Sequence, residues 1–160
     1  MYKFLTQIGI SFFLLIFAAF ASWYEGSAIL ENPWEWKYST PFSELFYGEV
    51  HSQAHISQLD YFVYAAKFQP AFPILMVVSS IYIILLIGNS LFRDRLKTLT
   101  LYLCFWGASF ISLSLLINHS PTTGGKIFTF IFLISGIWCC AKAAYVSYKT
   151  RGKLSHHIVH

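Results

Sequence analysis

Four stretches of this chain are apolar almost without interruption. They run from about Leu5 to Tyr24 (with IGISFFLLIFAAFA at the centre), from Ala71 to Phe92, from Thr98 to Ile117 and from Ile127 to about Tyr148. Each is long enough to cross about 30 Å of hydrocarbon as a helix. None shows the alternation of barrel strands, and in lipid a backbone must satisfy its own hydrogen bonds, so the pattern predicts four helices. The fold class that follows is an all-α membrane protein with four transmembrane helices. Residues 1–160 would form a single integral membrane domain, with a partly structured extracytoplasmic loop, 25–70, between helices one and two, and a cytoplasmic tail, 149–160.

The 25–70 loop carries its own signals, beginning with ENPWEWKYSTPF. Trp34, Trp36 and Tyr38 alternate with Glu35 and Lys37, and a period of two predicts an extended segment with its aromatics on one face. Pro33 and Pro41 bracket the run and keep it out of a helix interior. Thr40-Pro41 then reads as N-cap and first position of a short helix with Phe42, Leu45 and Phe46 on one side and Gly48 as its stop. Another short helix is predicted from Ser57, where Ser57 and Asp60 form a capping-box-like pair. Leu59, Phe62, Val63 and Ala66 follow as an apolar stripe; Pro70 ends the helix, and Pro73 falls in the first turn of the second span. Tryptophan and tyrosine favour the headgroup level of a bilayer, so Trp34, Trp36 and Tyr38 are the candidates for contact with the interface or with a partner.

Composition and charge agree with a membrane setting. Of 160 residues, 56% are hydrophobic and 11% charged, against about a quarter charged in a soluble domain. Lys3, Arg93, Arg95, Lys97, Lys149, Arg151 and Lys153 flank the spans on one side, and Lys37, Lys67 and Lys126 on the other. The positive-inside rule then puts both termini and the RDRLK turn in the cytoplasm of a multi-pass cell-membrane protein. The bases form no contiguous stripe, which argues against a nucleic-acid partner. Residues 1–21 also have the outline of a signal peptide ending Ala19-Phe20-Ala21; continued apolar character through Trp23 and Tyr24 favours an uncleaved anchor.

Candidate chemistry is sparse. Cys104, Cys139 and Cys140 lie inside apolar runs and form no C-x-x-C pair. His51 and His55 stand four apart and would share a helical face, a weak metal candidate without an H-E-x-x-H motif. His156, His157 and His160 read as a frayed tail with adventitious metal affinity. Lys142 is the one ionisable residue well inside a span; its nearness to the basic end predicts that it snorkels to the cytoplasmic rim, the alternative being an inward turn to Asn89 or Ser90. Gly107, Ala108 and Ser112 in span three, with Ser135, Gly136 and Ala143 in span four, would let helices approach closely. No catalytic constellation is present in the spans, and no cofactor is called for.

The strings ASWYEGSAILENPWEWKYSTPFS and SQLDYFVYAAKFQPAFPIL resemble the YjdJ-like family of small uncharacterised membrane proteins of Gram-positive bacteria. The resemblance covers roughly the first 95 residues. It implies a bacterial cell membrane location and no catalytic residues. The expectation is a non-enzymatic protein whose partners are membrane lipids and another membrane or envelope protein. The alternative is a small transporter or membrane enzyme for a lipid-like or apolar substrate.

Overall fold

The computed structural model describes residues 2–158, and their side chains through residue 150. Among the described residues there are seven α-helices and no strand: α1 (Tyr2–Gly26), α2 (Trp36–Ser39), α3 (Pro41–Tyr47), α4 (Gln58–Phe68), α5 (Ala71–Leu91), α6 (Leu96–Ile117) and α7 (Thr123–Ile158). Three short 3₁₀ turns, Ser27–Glu31, Pro33–Glu35 and Gln53–His55, join the pieces between α1 and α4. Four helical stretches, Tyr2–Glu31, Ala71–Leu91, Leu96–Ile117 and Thr123–Thr150, are long and apolar enough to cross a membrane.

These four coincide with the four apolar runs, but two extend past them. Helix α1 begins at Tyr2 and passes into the 3₁₀ turn ending at Glu31, and α7 continues through the basic segment to Ile158. His156 and His157, expected in a frayed end, fall within this helix, since a single glycine in YKTRGKLSHHI lowers helix propensity without ending an established helix. His160 lies outside the described residues.

The chain divides into two compact units, Met1–Ser80 with Pro121–Gly125, and Ile81–Ser120 with Lys126–His160. Within the first, α1 packs against α4. Their backbones come close at Gly26, where an added Cβ would sit 1.9 Å from the Tyr61 carbonyl oxygen. The same need for a bare backbone recurs at Gly124, whose Cβ would meet the Ala66 carbonyl at 1.8 Å. Phe17 and Phe72 meet edge to face with ring centroids 5.9 Å apart.

The second unit rests on the small residues of α6 and α7. A Cβ on Gly136 would lie 3.0 Å from the Gly107 carbonyl, so the pair permits backbone contact between the helices. The Ser114 hydroxyl donates to the Thr129 carbonyl at 2.9 Å across the same pairing. Leu99, Leu103 and Ala143 are buried together, flanked by Leu85, Phe92 and Val146. Tyr102 donates its hydroxyl to the Ile84 carbonyl at 2.8 Å, tying α6 to α5.

Candidate functional site

The segment between α1 and α5 is a folded cap with a core of its own. Ile29, Trp36, Ile56 and Tyr64 are buried together, and Ala28, Leu30, Val50 and Tyr61 pack around them. Trp36 anchors it: its indole N–H donates to the Ile29 carbonyl at 2.9 Å, which satisfies the one polar atom of a buried ring. Asn32 adds a second tie, donating to the Ala28 carbonyl and to the Tyr64 hydroxyl, each at 2.9 Å.

The extended segment expected at Trp34–Tyr38 is not formed. Pro33 opens a 3₁₀ turn, and the chain passes directly into α2. A proline at the first helical position has the right φ and loses no hydrogen bond there, so the bracket that excludes a helix interior serves as a helix start. The consequence for the aromatics is geometric. Residues two apart lie on one face of a strand but on nearly opposite faces of a helix, whereas residues four apart share a helical face. Trp36 accordingly points inward, while Trp34 and Tyr38 are 70% and 67% exposed on the other side.

Asp60 does not close a capping box with Ser57. Its carboxylate is fully buried and turns to another helix, accepting from the Phe42 and Ser43 backbone N–H groups at 2.9 Å each and from the Ser43 hydroxyl. These are orphan donors at the start of α3, where the helix dipole also favours an anion. Thr40, the residue preceding α3, makes no side-chain cap of its own; its hydroxyl donates to the Trp36 carbonyl at 2.5 Å. Ser43 in turn accepts from the Ser57 N–H at 2.7 Å, so one buried cluster locks α3 onto the start of α4. Ser57 does cap α4, accepting from the Leu59 N–H at 3.3 Å. Gly48 ends α3 with φ of 74°, a conformation that favours glycine.

The stripe expected on α4 is rotated. Its buried residues are Asp60, Tyr64 and Ala65, while Phe62, Val63 and Ala66 are half-buried and Leu59 is exposed. Lys67 folds back over the cap, donating to the Tyr38 carbonyl and to the Ser39 hydroxyl at 3.2 Å. Burial lowers its ammonium from the ordinary value of 10.5, against the opposing pull of Glu35 and Glu44.

Beside its apolar core, the cap buries a polar cluster and leaves several large apolar side chains outside. Ser39, Thr40, Ser43 and Asp60 are fully buried, whereas Trp34, Tyr38, Leu45, Phe46 and Tyr47 are exposed.

The histidine pair does not share a helix face. His51 precedes the 3₁₀ turn and lies 3.7 Å from the Glu49 carboxylate, both exposed; His55 ends that turn and stacks on Tyr47 with centroids 5.3 Å apart. Among the described residues no group of three or more histidine, cysteine, aspartate or glutamate side chains could hold a metal ion. In the second unit, Lys142 turns inward. Its ammonium donates to the Asn89 side-chain oxygen at 2.8 Å and lies 4.8 Å from the centre of the Trp138 ring. The expected snorkelling gives way to the alternative inward turn to Asn89, and Trp138 was missed, although its i to i+4 spacing from Lys142 was the available signal.

Comparison with known proteins returns to the same region. No solved structure matches. The chain is 37% identical over 81 residues to the uncharacterized protein YjdJ of Bacillus subtilis (strain 168), covering 49% of this chain and 74% of that protein. Residues 5–92, which hold α1 from Leu5 onward, the whole cap and α5, match the family described as a domain of unknown function, DUF4306. The matched stretch is more than half of the chain, and the chain belongs to the DUF4306 family.

Proposed function

We propose that this is a multi-pass cell-membrane protein that binds a membrane or envelope partner through its cap and carries out no chemistry of its own. The four long apolar helices would span the bilayer, with both termini and the Arg93–Lys97 turn in the cytoplasm and residues 25–70 outside. Their exposed residues support this reading. Phe12, Phe13 and Phe20 on α1, Leu101 and Phe105 on α6, and Phe130 and Ile134 on α7 are each more than half exposed, a surface suited to lipid rather than water.

The observation that carries the partner reading is the set of large apolar side chains exposed on the cap. Five large aromatic or aliphatic side chains face outward from a scaffold held by buried hydroxyls and a carboxylate. Tryptophan, tyrosine and phenylalanine on a rigid support are the residue types that dominate protein interfaces. Lys142, already engaged by Asn89 and Trp138, supports a positional role for the intramembrane charge rather than a chemical one.

The test is a photo-reactive phenylalanine placed in turn at Trp34, Tyr38 and Phe46 in living cells. The expected result is one discrete protein adduct common to these sites, lost when a neighbouring exposed aromatic is changed to serine while the chain accumulates normally. Diffuse or absent adducts at all three positions would overturn the partner reading.

A further inference from the structure

The rotated stripe of α4 has a consequence for α1. Phe62, half-buried, and Gln58 form one wall of a groove of about 450 Å3, and Ile16, Ala19, Phe20 and Trp23 form the other. The four α1 positions lie at i, i+3, i+4 and i+7, so they make one continuous face about 10 Å long. No charged side chain lines the groove, and the Gln58 amide is its one strongly polar group. The volume falls in the range of small-ligand sites, and an apolar lining with a few polar groups is their usual character.

The geometry points to a binding site for one acyl chain of an outer-leaflet phospholipid. The inference rests on the reading of α1 as a membrane span. Three observations favour a hydrocarbon tail over a protein helix. The walls belong to helices already in contact nearby, where a Cβ at Gly26 would clash with the Tyr61 backbone and the Trp23 and Tyr61 rings lie 6.2 Å apart. A groove that closes in this way takes a narrow chain and cannot seat a helix about 10–12 Å across. The α1 wall is part of the apolar face of a helix suited to cross a membrane, so the groove is continuous with the surface that lipid tails would cover. Its polar features, Trp23 and Gln58, suit the boundary where acyl chains meet ester and headgroup atoms.

The experiment uses the full chain in phosphatidylglycerol–phosphatidylethanolamine vesicles containing a phospholipid with a diazirine on one acyl chain. After irradiation, labelled residues are mapped by mass spectrometry. Labelling at Phe20, Trp23 and Phe62 is expected several-fold above that at Phe12 and Phe13, which are exposed on α1 outside the groove. Ala19→Phe should fill the groove and lower labelling at Trp23 and Phe62 several-fold, leaving Phe13 unchanged. If that variant fails to accumulate, native mass spectrometry of the unaltered detergent-purified chain should still show one retained phospholipid. Even labelling along α1 with no retained lipid would reduce the groove to ordinary lipid contact and overturn the site. Protein adducts at Phe20 or Phe62 in cells, in place of lipid label, would assign the groove to a partner. Labelling absent from all of α1 would instead overturn its reading as a span.

Discussion

Asp60 shows how one side chain can decide a local fold. Its carboxylate collects three donors from the start of α3, and two are backbone N–H groups with no other partner in that helix. Asn in its place offers one acceptor and turns an N–H toward groups that are themselves donors. Asp60→Asn should therefore destabilise the cap by about 2–3 kcal/mol, the range for a buried charge-assisted cluster left partly unsatisfied. Thermal unfolding in detergent, followed by tryptophan emission, measures it, since Trp36 lies in the same core. Glu44→Gln is the control: that side chain is exposed on α3, and a shift within about 0.5 kcal/mol is expected. Equal effects in the two variants would deny the carboxylate its place as the fastener of α3.

At the scale of elements, contact between α1 and α4 depends on an absent methyl group. A Cβ at Gly26 would meet the Tyr61 carbonyl, a backbone atom that cannot rotate away. Gly26→Ala should force the helices apart and cost about 1–3 kcal/mol, as overpacking does. Gly9→Ala on the same helix meets nothing within 4 Å and should gain about 0.5–1 kcal/mol of helix propensity. Thermolysin cleavage within 48–58 reads the difference: faster in Gly26→Ala, unchanged or slower in Gly9→Ala. The long helices were legible because hydrophobic length alone identifies them, and α3 was legible because Pro41 and Gly48 act locally, although Thr40 does not cap it. The path through Trp34–Tyr38 was not, since a period of two in five residues also fits a helix with one aromatic drawn inward. What draws Trp36 inward is a carbonyl at Ile29 and a core completed by Ile56 and Tyr64, contacts that no local window contains. Asp60 was misassigned for the same reason: its position fits a local cap, but its partners are 17 and 18 residues away. Phe62 kept its apolar stripe while the stripe changed its neighbour, and the groove at α1 was invisible until the two helices were together.

For the whole molecule, the proposed direction in which the helices cross a membrane rests on charge rather than on packing. Seven Lys and Arg residues flank the spans on the side proposed as cytoplasmic, with Arg93 and Arg95 between α5 and α6 and Lys97 in the first turn of α6. Only Lys37, Lys67 and Lys126 fall on the other side, and Lys67 is tied into the cap by two hydrogen bonds. Short loops count most in the positive-inside rule, so the Arg93–Lys97 turn outweighs the scattered bases of the cap. Single cysteines at Ser52 and Asp94, with Cys104, Cys139 and Cys140 replaced by alanine, test this in intact cells. Position 52 should react with a membrane-impermeant maleimide at once, and position 94 only after permeabilisation. Labelling of position 94 from outside would invert the molecule and place the cap, with its exposed Trp34, Tyr38 and Phe46, in the cytoplasm. The partner would then have to be cytoplasmic and the lipid groove would open to the inner leaflet, so this measurement fixes where both should be sought.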